Sequence, residues 1–126
     1  MSIQTPLGRV HGLGSAKSGT EHFWQQRLTA AALLPLTFWF VWMVARYAGA
    51  PHADVVAALG HPINAALMLV FVIAGLYHMA LGLRVVVEDY ITVRGAKLAL
   101  LFLVNFGAFA IAMVCVVAVL RIAIRF

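Results

Sequence analysis

The chain has 126 residues, of which 64% are hydrophobic and only 10% are charged. An ordinary soluble domain is about 45–50% apolar and about 25% charged, and a chain this short buries only about two-thirds of its surface on folding. The composition therefore excludes a soluble globular enzyme, a disordered tail and a disulfide scaffold, and it indicates an integral membrane protein. The net charge of +5 comes from Lys and Arg near the ends of apolar runs, where such residues set membrane topology.

The chain begins with a polar, glycine-rich tail over residues 1–27, without the apolar core of a cleavable signal peptide. Three apolar runs follow, and we expect spans at about residues 28–46, 62–87 and 98–120. About 20 residues at 1.5 Å rise cross a hydrocarbon core of about 30 Å, and backbone groups in lipid must be satisfied internally. The predicted fold is all-α, with a three-helix transmembrane anchor in residues 28–126.

The distribution of basic residues predicts how the three spans are oriented. In a three-span chain, six basic residues lie on the side of the N-terminus and three on the other side, namely Arg9, Lys17, Arg27, Arg84, Arg94 and Lys97 against Arg46, Arg121 and Arg125. The positive-inside rule then favours a cytoplasmic N-terminus and a periplasmic C-terminus.

His78 is the most informative residue, because it lies well inside the second span. An ionisable side chain at that depth is expensive and indicates a functional site by default. Gly75 and Gly82 lie on the same helix stripe, and they would let a flat macrocycle approach an imidazole that ligates haem iron. Two other interpretations stay open, namely an ordinary helix–helix contact with a hydrogen-bonded histidine and a proton relay.

A haem at His78 would need a second axial ligand from elsewhere. The other histidines are outside the three spans, at positions 11, 22, 52 and 61, and Met43, Met68 and Met113 have no supporting pattern. A bis-histidine haem therefore predicts a partner membrane subunit.

Charged residues at the inner boundary offer further candidate contacts. Arg27 could pair with a haem propionate, or it could be a flanking residue that reaches the headgroups. His22 could contact a propionate or carry a proton, or be simply solvated. Asp89 follows His78 by eleven residues, which returns it to almost the same helix face roughly 16 Å along the axis. Asp89 and Tyr90 could bind and protonate a quinone, or form a charged helix end.

These residues resemble those of the hydrophobic membrane anchor of succinate dehydrogenase, respiratory complex II, of the alphaproteobacterial and mitochondrial type. Three segments carry the resemblance: Leu7-Gly8-Arg9, the stretch HFWQQRLTAAALLP from His22 to Pro35, and His78-x-x-x-Gly82 followed by Asp89-Tyr90. The length and the three-helix layout match along the whole chain.

The resemblance implies a role for each of these residues. It makes His78 an axial ligand of haem b iron and Arg27 a haem-propionate contact, with His22 a weaker propionate or proton-path residue. It makes Tyr90 a hydrogen-bond donor to ubiquinone and Asp89 its orienting or proton-handling neighbour.

The resemblance also implies a four-subunit enzyme in the bacterial inner membrane. The partners would be a flavoprotein subunit, an iron–sulfur subunit and a second membrane anchor, the cytochrome b subunit, which would supply the second haem ligand. This chain has no GxGxxG motif and no cysteine cluster, so we expect it to be non-catalytic alone. The competing hypotheses are a fumarate reductase anchor that works with menaquinol, and a small structural or transport subunit in which His78 packs or relays protons.

Overall fold

A computed structural model describes Leu7 and residues 19–124. The predictions that involve Gly8, Arg9, Lys17 and Arg125, and His11 as a histidine outside the spans, lie outside these residues. The described part contains four helices, α1 (Gly19–Tyr47), α2 (His52–Gly60), α3 (Pro62–Tyr90) and α4 (Arg94–Ala123), and no strand. The all-α prediction is confirmed.

The three long helices α1, α3 and α4 are apolar enough and long enough to cross a membrane. They enclose the three predicted spans and extend beyond them. The clearest difference is at the start of α1, because residues 19–27, which we assigned to the polar tail, are helical. Glu21 in the first turn favours the helix electrostatically, and Gln26 in the second turn packs beside Gly82 of α3. Tertiary contact therefore extends the helix past its apolar run.

The linker between the first two spans contains α2, a helix of nine residues that the sequence analysis did not predict. Gly49 has a positive φ of 78° in the turn after α1, a conformation that glycine adopts without strain. Pro51 precedes α2, and Pro62 occupies the first turn of α3, where a missing N–H has no consequence. Asn64 Nδ2 donates to the carbonyl of Ala58 at 2.8 Å, which fixes α2 against α3.

α3 lies between α1 and α4 and packs on both. α1 and α3 are antiparallel, since Gln26 lies beside Gly82 and Leu33 beside Gly75. Farther toward the α2 end, the rings of Phe40 and Phe71 stack with centroids 4.8 Å apart. This register decides which side chains of α1 meet His78.

Most of the large apolar side chains remain exposed. The buried hydrophobic residues are Leu36, Met43, Ala65, Ala80, Leu81 and Val87, and the apolar window of α4 has no buried residue. Exposed apolar surface on this scale is characteristic of a face that contacts lipid or other protein chains.

A polar link joins α3 to α4 inside the bundle. Arg84 Nε donates to Asn105 Oδ1 at 2.8 Å, and both side chains are half-buried. This contact gives Asn105 a role in helix packing. The arginine thus has a protein acceptor where lipid would offer none.

Replacing Asn105 should weaken the bundle. In Asn105→Ala the arginine loses its acceptor, and we expect a loss of about 0.6–2 kcal/mol in the free energy of unfolding, the range of interhelical hydrogen bonds in membranes. The measurement is an SDS titration in mixed micelles followed by circular dichroism. Leu103→Ala, at a side chain that is 66% exposed on the same helix, is the control. Equal stability of the two variants would contradict the prediction.

Candidate functional site

His78 lies near the middle of α3, half-buried, and faces α1. Its Nδ1 is 2.9 Å from the hydroxyl oxygen of Thr29. That oxygen is also 2.7 Å from the carbonyl oxygen of Gln25 and 3.0 Å from that of Gln26. A polar cluster therefore lies within the apolar contact between the two helices.

The neighbouring tyrosine makes a second link to the same turn of α1. Tyr77 donates its hydroxyl proton to Gln25 Oε1 at 2.9 Å. Two consecutive residues of α3 are thus hydrogen-bonded to residues one turn apart on α1. From the sequence alone we assigned no role to Gln25, Thr29 or Tyr77. The signal that could have found Thr29 is its place one turn after Gln25 and Gln26, on the face that an antiparallel neighbour would contact.

The glycines around His78 face α1. A Cβ atom at Gly75 would lie 3.8 Å from Leu33 Cδ2, and one at Gly82 would lie 3.7 Å from Gln26 Nε2. These are ordinary van der Waals distances, so side chains of α1 occupy the space that we interpreted as room for a macrocycle. The glycines serve helix packing, which was the competing interpretation of this stripe.

Arg27 and His22 lie on different faces of α1. Two residues correspond to about 200° on a helix, so Arg27 points away from the Thr29 face, and its guanidinium carbon is 4.7 Å from the ring centroid of Phe23. His22 lies about two turns before Thr29 on nearly the same face. It lines a cleft between α1 and α3 together with Arg84 and Glu88. The structure therefore brings His22 toward α3 and leaves Arg27 exposed.

Asp89 and Tyr90 form the exposed end of α3, and Tyr90 is 80% exposed. Lys97 Nζ donates to the backbone carbonyl of Glu88 at 2.7 Å, which places a positive charge at the negative end of the helix dipole. Among the described residues, neither the Asp89 carboxylate nor the Tyr90 hydroxyl has a hydrogen-bond partner. Both groups are therefore free to bind a ligand or another protein of a complex.

The described part of the chain holds no cluster of three or more His, Cys, Asp or Glu side chains that could bind a metal ion. A haem iron needs only one ligand from a chain, and among the described histidines only His78 lies within the apolar part of a long helix. His52 lines a cleft with Arg121, and Met43 and Met68 line one with Tyr47, both away from Thr29 and His78.

The sequence pattern of the succinate dehydrogenase/fumarate reductase transmembrane subunit family matches residues 1–120. The chain belongs to this family. The hydrophobic membrane anchor subunit of succinate dehydrogenase from Paracoccus denitrificans is 38% identical over 107 residues, which cover 85% of this chain and 83% of that protein. The corresponding subunit from Rickettsia bellii is 34% identical over 117 residues, 93% of this chain and 94% of the relative. The succinate dehydrogenase membrane anchor subunit of Reclinomonas americana is 28% identical over 92 residues, 71% of this chain and 77% of the relative. No solved structure matches the chain.

These similarities confirm the predicted resemblance. The chain is a multi-pass membrane anchor subunit of succinate dehydrogenase, and it therefore works in a complex with other subunits. Its exposed apolar helices agree with that role, since an anchor must present surface both to lipid and to the proteins that it holds.

The glycine stripe provides a test of the contact between α1 and α3. In Gly75→Ala and Gly82→Ala the new methyl group meets α1 at van der Waals distance, and alanine favours a helix by about 0.8–1.0 kcal/mol over glycine. We therefore expect unchanged or slightly higher stability in the SDS titration. Gly107→Ala, where a Cβ would meet no atom within 4 Å, measures the helix propensity alone. Strong destabilisation at Gly75 or Gly82, but not at Gly107, would mean that α1 approaches α3 more closely than described.

Proposed function

We propose that this chain is an anchor subunit of a succinate:ubiquinone oxidoreductase, that it shares haem b with a second anchor subunit, and that it completes the quinone site. The observation that carries the proposal is the position and hydrogen bonding of the His78 imidazole. Its imidazole is embedded in the apolar part of α3, and one ring nitrogen is held by Thr29. Nε2 has no partner among the described residues, so it is available to a ligand.

The His78 imidazole fits a haem ligand, whereas the glycine stripe beside it is filled by side chains of α1. A neutral imidazole with one nitrogen held by a hydrogen bond and the other free is the usual form of a histidine that ligates a metal. When bound, haem b would supply a one-electron redox centre. The other histidines of the described part, His22, His52 and His61, are at or near helix ends, so a second histidine ligand would come from the partner anchor subunit.

Two basic side chains of α1 are the candidates for the haem propionates. Arg27 is exposed, and its guanidinium contacts an aromatic ring rather than a carboxylate, so it can bind a carboxylate from outside the chain. His22 is the weaker candidate for a propionate contact, because it faces the cleft that also contains the acidic residue Glu88. In both cases the support is the position of the residue near the inner end of the bundle.

The end of α3 supplies the proposed quinone contacts. The Tyr90 phenol can donate a hydrogen bond to a quinone carbonyl, and the neighbouring Asp89 carboxylate can orient the ligand or pass a proton. Reduction of a quinone takes two electrons and two protons. An exposed phenol and carboxylate at the helix end give protons from water a path to the ring.

The remaining partners and the orientation follow from the same proposal. A flavoprotein subunit would oxidise succinate, and an iron–sulfur subunit would carry electrons toward the anchor that this chain forms with the cytochrome b subunit. The basic residues Arg27, Arg84, Arg94 and Lys97 lie at the inner end of a three-span arrangement, which supports a bacterial inner-membrane protein with a cytoplasmic N-terminus.

One structural observation favours a second candidate function. The Thr29–His78 contact is also what a purely structural subunit would show, since an interhelical hydrogen bond satisfies a buried histidine. The matched family also includes fumarate reductase subunits, so an anchor that works with menaquinol, as a fumarate reductase anchor would, is the other alternative to the proposed use of ubiquinone. The relatives named above are all succinate dehydrogenase subunits, which supports the first proposal.

Removing the imidazole tests the haem ligand. In His78→Ala we expect the reduced-minus-oxidised spectrum of the purified complex to lose its b-type bands, while the subunits still co-purify. His61→Ala, at an exposed histidine between α2 and α3, is the matched control and should keep the bands. An unchanged haem spectrum in His78→Ala, or a native complex without any b-type haem, would leave the structural role as the better explanation.

Removing one hydroxyl tests the quinone site. In Tyr90→Phe we expect ubiquinone reduction to fall about tenfold, which corresponds to loss of one hydrogen bond of about 1.5 kcal/mol. Succinate oxidation with a soluble artificial acceptor should stay unchanged, because it does not need the anchor. Tyr47→Phe, at the opposite end of the bundle, is the control. Equal losses in both assays would indicate an assembly defect instead.

A further inference from the structure

We infer that Thr29 is a positioning residue for His78: its hydroxyl oxygen accepts a hydrogen bond from Nδ1–H, fixes the tautomer with the lone pair on Nε2, and lowers the reduction potential of the haem that His78 ligates. The inference rests on the proposed haem function. It adds a residue of α1 to a site that otherwise consists of one side chain of α3.

The direction of the hydrogen bond follows from proton counting. A threonine hydroxyl has one proton to donate, and the Thr29 oxygen lies 2.7 Å from one backbone carbonyl oxygen and 3.0 Å from another. Carbonyl oxygens only accept. If the hydroxyl proton pointed to His78, two oxygen atoms would face each other at 2.7 Å without a proton between them. The proton therefore goes to the carbonyls of Gln25 and Gln26.

The histidine must then be the donor. Toward Nδ1 of His78, at 2.9 Å, the Thr29 oxygen presents only a lone pair, so Nδ1 carries the imidazole proton. In a neutral ring this leaves Nε2 as the nitrogen with the free lone pair. Thr29 thus selects the tautomer that can ligate iron through Nε2.

The same hydrogen bond makes His78 a stronger electron donor to a metal bound at Nε2. An acceptor on Nδ1–H raises the basicity of the other nitrogen, and a hydroxyl that is itself donating to a carbonyl is a better acceptor than a free one. A more basic ligand stabilises ferric over ferrous iron, so the bond should lower the reduction potential. Hydrogen bonding around an axial ligand is one of the means by which proteins set haem potentials.

Other contacts between α1 and α3 hold Thr29 in place, and these contacts do not involve its hydroxyl group. Tyr77 holds Gln25 at 2.9 Å, and Leu33 and Gln26 pack beside Gly75 and Gly82 on either side. Valine has nearly the shape of threonine, so Thr29→Val removes the hydroxyl while these contacts remain. The substitution therefore separates the hydrogen bond from the packing of α1 on α3.

The experiment is a potentiometric titration of the haem absorbance in the purified whole complex. In Thr29→Val we expect the oxidised-to-reduced ratio at a fixed potential to fall about tenfold, which is a rise of about 59 mV in midpoint for a one-electron couple. Haem affinity should fall by roughly 10–100-fold, as for other changes of a residue that supports a metal ligand. Thr29→Ser, which keeps the hydroxyl, should have the wild-type potential. Thr37→Val, at an exposed threonine of the same helix, should leave it unchanged.

Two outcomes would overturn the inference. One is a wild-type potential in the Thr29→Val complex, and the other is a shift in Thr29→Ser as large as that in Thr29→Val. If the valine variant does not assemble, Thr29→Ala loses the same bond and must shift the potential in the same direction. These outcomes differ from those that would contradict the proposed haem function. In that case the native complex would lack b-type haem, or the His78→Ala complex would retain it.

Discussion

Lipid offers no hydrogen-bond partner to a polar side chain, and this constraint arranges the described helices. Two half-buried polar side chains of α3 within the apolar bundle are paired with protein atoms: His78 with Thr29, and Arg84 with Asn105. Each pair joins α3 to a different neighbour, so α3 is fixed on both sides. Because apolar surfaces gain little by association inside a bilayer, these few contacts and the close approach at Gly75 and Gly82 define the register of the bundle.

The bundle that results cannot cover its own surface. α1 and α4 pack on opposite sides of α3, and no residue in the apolar window of α4 is buried. An anchor protein uses such faces to contact lipid and the other members of its complex. The distribution of polar groups agrees with this, because Arg27, Asp89 and Tyr90 are exposed toward the same end of the bundle, where groups from other chains can reach them.

Composition and apolar run length were enough to predict three helices, because the thickness of the bilayer sets their minimum length. The helical start of α1 and the short helix α2 were not predictable in this way, since tertiary contacts such as Gln26 with Gly82 and Asn64 with Ala58 support them. The residues of the candidate site likewise include some that the sequence predicts and some that it does not. The importance of His78 follows from an ionisable group in an apolar run, and Asp89 follows from helix periodicity. Thr29 and Gln25 required the pairing of two helices, which a single sequence does not specify.

The hydrogen bond between Thr29 and His78 connects the fold with the proposed chemistry. A contact that only satisfied a buried histidine could use either ring nitrogen and either direction of donation. Here the backbone carbonyls of α1 take the threonine proton, so the histidine donates from Nδ1 and keeps the lone pair on Nε2. Helix packing and metal ligation are therefore compatible at this residue, since one ring nitrogen is used in the contact between α1 and α3 and the other remains available to the proposed haem.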